Sequence, residues 1–223
     1  MQESSLHADL KKWYQAKGGK LEVAVDGYLI DVVLDGWFLE IQTRNFSALK
    51  HKLTSLLENH RVRVIHPIAN EKYIIKLGAS GDVPITKRKS PKKGRLEELF
   101  NEIIHIGGLI PNPNLQIEVL FTQEEEIRRD DGKGSWRRGG ISVVDRRLVN
   151  VLDNHLINYP IDYLAMLPDA LNPTFTNHRL AQVLNIRITL ARKMTYSLRS
   201  MGLLTIVAKR GNNLIFKPNP KTS

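Results

Sequence analysis

Cysteine is absent from the 223 residues, which excludes disulfide bonds, thiol catalysis and zinc-finger ligands. Long apolar runs are also absent. None approaches the roughly 20 residues that a membrane-spanning helix needs, and the N-terminus lacks the apolar core of a signal peptide. The sequence therefore predicts a soluble, cytoplasmic protein with no membrane partner.

Acidic residues are in deficit. The chain has 23 Asp and Glu against 33 Lys and Arg, which gives a formal net charge of +10 and a pI of about 9.8. Such an excess of positive charge favours a polyanionic partner, and nucleic acid is expected before a membrane surface. At this length the chain forms one large domain or two small ones.

Two Asp-Gly pairs organise residues 21–42, LEVAVDGYLIDVVLDGWFLEIQ. Asp26-Gly27 and Asp35-Gly36 each lie between apolar and β-branched residues, which is the strongest local signal for a two-residue hairpin turn. Two consecutive hairpins form a three-stranded meander. Because such a turn fixes the register, the cross-strand neighbours follow from the sequence.

The predicted register places three acids, Glu22, Asp31 and Glu40, in one row across the strands, with Gln42 further along the same face. The opposite face is apolar and consists of Val23, Val25, Ile30, Val32, Leu39 and Ile41. Carboxylates directly opposite one another repel. Such a row either binds a hard cation such as Mg²⁺ or lies on a solvated face where a bulge separates the acids. The row alone supports the two interpretations about equally.

Asp31, eight intervening residues and then Glu40-Ile41-Gln42 resemble the core signature of the PD-(D/E)xK nuclease superfamily, in a variant with Gln in place of Lys. The order of predicted elements is similar to the αβββαβ core of that family. A helix over residues 3–17 precedes the meander, and an amphipathic helix over residues 46–59 and a basic strand follow it. The resemblance covers about residues 1–80 and implies an α/β, restriction-endonuclease-like fold.

The resemblance also implies a metal site. Asp31 and Glu40 are expected to bind Mg²⁺ or Mn²⁺, and Gln42 to orient the attacking water. Glu22, or Glu3 in the first helix, is expected to complete the metal shell. Since the motif Lys is absent, other cations are candidates for the phosphate contact, namely Arg44, Lys50 and Lys52; for the two lysines a solvated helix face is the simpler interpretation. His7 is expected to be a surface or packing residue.

Composition divides the rest of the chain. Residues 1–86 are predicted to form the nuclease-like domain and residues 87–95, KRKSPKKGR, a basic linker. Residues 96–144 are predicted to contain a helix, a strand and a long charged loop. Within that loop Trp136, Arg137 and Arg138 either contact nucleic acid by stacking and phosphate pairing or belong to a solvated, mobile segment.

Residues 145–220 resemble the winged helix-turn-helix family. The predicted order is a helix from Asp145 to about Ile157, a short capped helix, a tight turn, a helix over residues 189–201 and a β-hairpin. The resemblance implies that the helix over residues 189–201 enters the major groove and that the hairpin contacts the DNA backbone. The implied DNA-binding residues are Arg187, Arg192, Lys193, Tyr196, Arg199, Lys209 and Arg210. Winged helices also mediate protein contacts.

Together the two resemblances predict a metal-dependent DNA endonuclease, restriction-like or repair-like, that a winged helix directs to DNA. The alternative is a non-catalytic DNA-binding regulator or assembly factor with an inert nuclease-like domain, which the missing motif Lys favours. An RNA-processing factor is a third interpretation. Cutting both strands with one site per chain requires either a homodimer or two successive nicks.

Overall fold

The computed structural model describes residues 4–78, 84–136, 139–171 and 173–219. The helices are α1 Ser5–Gln15, α2 Lys50–Leu56, α3 Phe100–Ile103, α4 Asn177–Leu184 and α5 Ile188–Ser200. The strands are β1 Lys20–Val25, β2 Tyr28–Leu34, β3 Trp37–Ile41, β4 Val62–Leu77, β5 Pro84–Lys89, β6 Leu115–Asp130, β7 Ile141–Ile157, β8 Phe175–Thr176, β9 Leu204–Arg210 and β10 Asn213–Pro218.

The strands form two sheets. The large sheet has the order β1-β2-β3-β4-β6-β7, with β5 paired to β4, and the small sheet has the order β8-β10-β9. The elements α1, β1, β2, β3, α2 and β4 follow one another as the sequence analysis predicts, and the α/β class is confirmed. None of the helices in the described ranges combines the length and the apolarity needed to cross a membrane.

Two compact units share the chain, and neither follows the predicted domain boundaries. The first unit comprises Met1–Thr43, Ile65–Arg95 and Val119–His155, and the second comprises Arg44–Val64, Leu96–Glu118 and Leu156–Ser223. Because β4, β6 and β7 each contribute residues to both units, no single cut in the sequence separates them. This division differs from the predicted succession of a domain at 1–86, a linker and a domain at 145–220.

Residues 145–157 were predicted to be helical and instead lie in β7, which pairs with β6. Asp145 does not cap a helix. Its carboxylate accepts hydrogen bonds from the hydroxyl and the backbone N–H of Ser5, at 2.6 and 3.3 Å. Burial raises the pKa of Asp145, but the hydrogen bonds from Ser5 and Arg146 outweigh burial and hold the pKa below its usual value. The valines of this stretch suit a strand.

The predicted linker at residues 87–95 begins within a strand. β5 pairs antiparallel with β4, and its lysines are engaged. The Nζ atom of Lys87 lies 2.7 Å from Glu125, and that of Lys89 lies 2.8 Å from Glu71. The first part of the basic segment is therefore ordered in the sheet and is not a flexible arm.

Two further segments are longer strands than the sequence predicts. Strand β4 runs through Pro67 and is 16 residues long, which is compatible with proline where no ladder bond needs its missing N–H. The strand predicted before the charged loop continues as β6 to Asp130, so the first part of the charged segment lies in the sheet. Glu124 of this strand is 0% exposed. The side chains of Arg146 and Thr122 donate hydrogen bonds to its carboxylate and so compensate for its burial.

The core of the first unit lies between α1 and one face of the large sheet. Its buried members are Leu6, Leu10, Tyr14, Val32, Leu39, Ile41, Ile65 and Leu120. Each fully buried Leu or Ile contributes roughly 1.5–3 kcal/mol relative to an exposed one, so this cluster fixes α1 on the meander. Of the predicted apolar face, Val23 and Val25 are only half-buried.

The second unit has its own core. Phe100 and Tyr163 pack edge to face with ring centroids 6.1 Å apart, and Phe175 packs on Phe216 at 6.0 Å. Among the apolar residues of the C-terminal helices and hairpin, the buried ones include Leu180, Met194, Leu198, Leu203 and Leu204. The half-buried ones are Val183, Leu184 and Leu190.

Tyr163 is buried, and its hydroxyl has no hydrogen-bond partner among the described residues. We expect Tyr163→Phe to raise the free energy of unfolding by about 1–2 kcal/mol, because it removes a buried hydroxyl whose desolvation no described hydrogen bond offsets. Burial, and then the charge of Asp162, raise the pKa of the Tyr163 phenol. Denaturation at pH 7 with circular dichroism as the readout tests this effect.

The same variant is expected to change alkaline unfolding. Since the folded pKa of Tyr163 is above the unfolded value of 10.0, the stability linked to the neutral phenol is complete below pH 10.0 and is lost as the pH rises further. Tyr163→Phe should lose less stability between pH 9 and 11 than the wild type. Tyr159→Phe, at an exposed position, is the control, and an equal alkaline loss in all three proteins would contradict the prediction.

Candidate active site and nucleic-acid interface

The two predicted hairpin turns are present. Asp26 and Gly27 have φ values of 49° and 80°, and Asp35 and Gly36 have 50° and 74°; two successive residues with positive φ are typical of a type I′ turn. The predicted registers are confirmed by the pairs Val25↔Tyr28, Val23↔Ile30, Leu34↔Trp37 and Val33↔Phe38. The hairpins therefore bring Asp31 and Glu40 to neighbouring strands at the same level of the sheet.

Asp31 lies where β2 and β3 stop pairing. The β2–β3 register runs as far as Val32↔Leu39, and beyond it the Oδ2 atom of Asp31 accepts the backbone N–H of Ile41 at 2.8 Å. Oδ2 also lies 3.2 Å from the Nε2 atom of His7 in α1, and both side chains are 21% exposed. A backbone donor and an imidazole therefore fix the orientation of this carboxylate at the surface of the site.

Glu22 departs from regular strand geometry and pairs with a lysine of α1. Its backbone has a φ of 53°, and its side chain is 58% exposed. The Nζ atom of Lys11 in α1 lies 2.9 Å from Glu22 Oε1, while the Lys11 side chain itself is 9% exposed. Within the described ranges, no group of three or more Asp, Glu or His side chains is placed to hold a metal ion.

Glu40 and Gln42 lie on either side of the buried Ile41. Glu40 is only 3% exposed. The backbone N–H of Gln42 donates to the carbonyl of Ile65 in β4 at 2.9 Å, and its carbonyl lies 2.8 Å from the Nδ1 atom of His66. Because a carbonyl only accepts, His66 carries its proton on Nδ1. The end of β3 is thus held by β4, and Gln42 is fixed next to Glu40.

The remaining predicted site residues belong to the second unit or lie outside the described residues. Arg44, Lys50 and Lys52 belong to the second unit; Arg44 and Lys50 are exposed and Lys52 is half-buried. Glu3, Arg137 and Arg138 lie outside the described residues. The possible contributions of these residues to the site stay predictions.

Two residues of α1 join the site beyond the predicted ones: Lys11, and His7, which was predicted to be a surface or packing residue. They lie one helical turn apart, at positions i and i+4 of α1, and so project from the same side of the helix. Each contacts an acid of the meander, His7 at Asp31 and Lys11 at Glu22. The sequence feature that could have identified these two residues is their i, i+4 spacing together with the predicted cross-strand pairing of Glu22 and Asp31.

A helix-turn-helix with a following hairpin occupies the end of the second unit. Thr176 caps α4 by accepting the backbone N–H of Arg179, and Asn185 ends α4 in the left-handed conformation with a φ of 50°. Helix α5 follows, and β9 pairs with β10 in an antiparallel hairpin. These elements match the predicted order from α4 onwards.

Helix α5 carries a polar stripe on its exposed side. Thr189, Arg192, Tyr196 and Arg199 follow the 3-4-3 spacing of one helix face and are all exposed, as is Arg187 just before the helix. Lys193 lies on another side, where its Nζ donates to Asn101 at 3.0 Å. At the hairpin turn Lys209 and Arg210 are exposed. The arrangement presents cations and one tyrosine to solvent on a helix and a neighbouring turn.

Comparison with known proteins assigns no chemistry to these residues. The sequence profile of the family described as "Domain of unknown function (DUF8091)" matches residues 4–158. A protein of Treponema pallidum (strain Nichols), described as uncharacterized, is 30% identical over 220 residues, which cover 98% of this chain and 86% of that protein. No solved structure matches the chain. Asp31 and Glu40 lie within the profile match, whereas α4 and α5 lie beyond it.

Proposed function

This chain belongs to the DUF8091 family, and we propose from the geometry of its own residues that it is a metal-dependent DNA nuclease. One observation carries the proposal. The two hairpins and α1 converge on Asp31, whose carboxylate is oriented by the backbone N–H of Ile41 and by His7. In β3, Ile41 directly follows the buried Glu40. An oriented acid on one strand and a buried acid on the next strand are suited to metal-dependent phosphodiester hydrolysis.

The donor set fits a hard divalent cation. Mg²⁺ prefers oxygen ligands and is commonly bound through one or two protein carboxylates, with water and substrate phosphate as its other ligands. Asp31 and Glu40 supply two such carboxylates. A cation bound there would polarise the scissile phosphate and lower the pKa of the attacking water.

The protein residues have separate roles in this proposal. Asp31 is held in one orientation, which keeps its oxygens in place as the substrate arrives. Glu40 is buried, and the cost of burying a carboxylate is reduced when a cation binds to it. The amide of Gln42 orients the attacking water.

Lys11 takes the place of the cation that the motif lacks at position 42. Its Nζ lies at the acidic meander, 2.9 Å from Glu22, on a side chain held against the protein with 9% exposure. A preorganised ammonium group stabilises the charge that develops on the phosphate oxygens in the transition state. Arg44, Lys50 and Lys52 are the alternatives for this role.

DNA binding is proposed for the winged-helix-like elements. The exposed stripe of α5, with Arg192, Tyr196 and Arg199, suits insertion into a major groove, and Lys209 and Arg210 suit contact with the backbone. The chain's net charge of +10 adds a salt-dependent attraction to DNA.

Cleavage assays test the proposed function. Wild-type protein would be incubated with supercoiled, linear duplex, single-stranded and branched DNA in Mg²⁺ and in Mn²⁺, beside Asp31→Asn and Glu40→Gln. Both variants are expected to lose at least about 100-fold in cleavage rate, because metal-bound charge stabilisation amounts to several kcal/mol. DNA affinity in the absence of metal is expected to stay within about threefold of wild type.

Asp35→Asn is the matched control. Asp35 is an exposed acid of the same meander with a φ of 50°, a conformation that Asn tolerates well, so the hairpin and the cleavage rate should both persist. Wild-type cleavage rates in Asp31→Asn and in Glu40→Gln would refute the assignment of the catalytic acids.

The second candidate function is a non-catalytic DNA-binding regulator, and the absence of Lys at position 42 favours it. That protein would bind DNA tightly and in a salt-sensitive manner without cleaving any substrate, and Asp31→Asn would not alter Mn²⁺ binding measured by calorimetry. The third interpretation, an RNA-processing factor, predicts that RNA displaces duplex DNA in a competition assay.

A further inference from the structure

Trp136 is a large aromatic side chain left in solvent, with 84% of its surface exposed. The other two tryptophans are covered. Trp13 and Trp37 are half-buried against the core of the first unit, and Lys17 Nζ lies 3.3 Å from the ring centroid of Trp13. Because burying an indole is strongly favourable, its exposure on a loop is typical of a contact residue.

Hydrogen bonds connect the described residues of the loop that carries Trp136. The carboxylate of Asp131 accepts the backbone N–H of Lys133 at 3.0 Å and the hydroxyl of Ser142 at 2.8 Å. The N–H of Gly139 donates to the carbonyl of Trp136 itself at 3.0 Å. The hydrogen bonds from Lys133 and Ser142 hold the pKa of Asp131 below its usual value, so the carboxylate accepts these bonds throughout the neutral range.

Gly134 is required for this loop to close. Its N–H donates to the carbonyl of Gly140 at 2.7 Å, and a Cβ atom at Gly134 would lie 1.9 Å from the backbone oxygen of Ile141. A contact that short with backbone forces the loop to open. The position of the Trp136 indole therefore depends on glycine at position 134. Because the closed loop already holds the indole in place, ligand binding costs little conformational entropy.

We propose that Trp136 stacks on an unpaired nucleobase, which makes DNA with single-stranded or splayed bases the substrate class of this protein. The inference rests on the DNA binding in the proposed function. In a continuous duplex both faces of each base are covered by neighbouring bases, whereas an unstacked base offers a face to an aromatic ring whatever its sequence. Residues 128–138 also contain five Lys and Arg against two Asp, a charge balance that attracts the phosphate backbone.

Binding in the presence of a chelator tests the inference without cleavage. The full chain would be titrated with a single-stranded oligodeoxynucleotide, the matching duplex, and that duplex with a single-stranded tail. Trp136→Ala is expected to lose roughly 5- to 150-fold in affinity for the single-stranded and tailed DNA, the range measured for one stacked base. Its affinity for the plain duplex should be unchanged.

Two further variants separate stacking from other roles. Trp136→Phe retains an aromatic ring and should retain most of the affinity for single-stranded DNA. Single-stranded DNA should quench the tryptophan fluorescence of Trp136→Phe less than that of the wild type. The indole at position 136 is then gone, and only Trp13 and Trp37 contribute fluorescence. Gly134→Ala keeps the indole but opens the loop, so its affinity for single-stranded DNA should fall towards that of Trp136→Ala while duplex affinity persists.

The outcomes distinguish this inference from the proposed catalysis. Equal affinities of wild type and Trp136→Ala for single-stranded DNA would overturn it, even if the protein cleaves DNA. The inference would also be overturned if Trp136→Ala lost the same affinity for the single-stranded, duplex and tailed DNA. The absence of wild-type binding to any of the three would overturn it too. Trp136-dependent binding of single-stranded DNA in a protein without cleavage activity would support the inference and refute the nuclease. If Gly134→Ala does not fold, the comparison of Trp136→Ala with Trp136→Phe decides.

Discussion

Replacing Arg146 with Met is expected to lower the free energy of unfolding by about 3–5 kcal/mol. Glu124 is fully buried, and its Oε2 atom accepts hydrogen bonds from the Nε and Nη2 atoms of Arg146 at 3.0 and 2.7 Å. The hydroxyl of Thr122 donates to the other oxygen and carries no charge. Without the guanidinium the buried carboxylate lacks a compensating cation. Because the Arg146 side chain is 28% exposed, the loss is expected near the lower end of the range.

Urea denaturation at pH 7 measures this loss, and Arg147→Met is the matched control. Arg147 is the next residue, and its ion pair with Asp145 is long, at 3.4 Å, on a side chain that is 58% exposed. Such a pair contributes under about 1 kcal/mol. The double variant Glu124→Gln with Arg146→Met should be more stable than Arg146→Met alone, because it removes the uncompensated charge. If the free energy of unfolding of Arg146→Met lies within about 1 kcal/mol of the wild-type value, the Arg146–Glu124 pair does not have this role.

The meander was predictable from sequence because its rules are local. In an Asp-Gly pair both residues adopt positive φ, a requirement that few other pairs meet, and the turn then sets the register of Asp31 and Glu40. The same holds for the C-terminal helices, where Thr176 caps α4 and Asn185 ends it. In each case the information lies within a few residues of the element that it specifies.

Long-range pairing accounts for the errors. The residues of β7 were predicted as a helix because Asp145 resembled an N-cap, yet Asp145 binds Ser5, which is 140 positions away in the sequence. The basic segment of β5 was predicted as a linker because its charges suggested solvent exposure, although Glu125 and Glu71 neutralise two of its lysines. A charge pattern along one segment gives no information about the strand that pairs with it.

The site itself was predictable only in part for the same reason. Asp31 and Glu40 follow from hairpin register, but the contact of α1 with the meander depends on how the helix packs across the sheet. That packing brings Lys11 to Glu22 and His7 to Asp31. The backbone of Glu22 also adopts a φ of 53°, a conformation that the residue types of this strand do not predict.

Lys11→Met is expected to lower the cleavage rate by about 10²–10³-fold while changing the free energy of unfolding by no more than about 1 kcal/mol. The rate effect is that of removing one preorganised group that stabilises transition-state charge. The stability effect is small for two reasons. Met retains the apolar length of the buried lysine side chain, and Glu22, being 58% exposed, stays solvated when its partner is removed.

Comparison with Lys12→Met separates the local role of Lys11 from a general loss of positive charge. Lys12 is the next residue of α1 and is exposed, so its removal changes the net charge by the same amount without altering the site. Lys12→Met should cleave at the wild-type rate, and Lys11→Arg should recover part of the loss because it restores the charge with a different geometry. If Lys11→Met cleaves like Lys12→Met, Lys11 only packs α1 against the meander, and the cation at the phosphate must come from Arg44, Lys50 or Lys52.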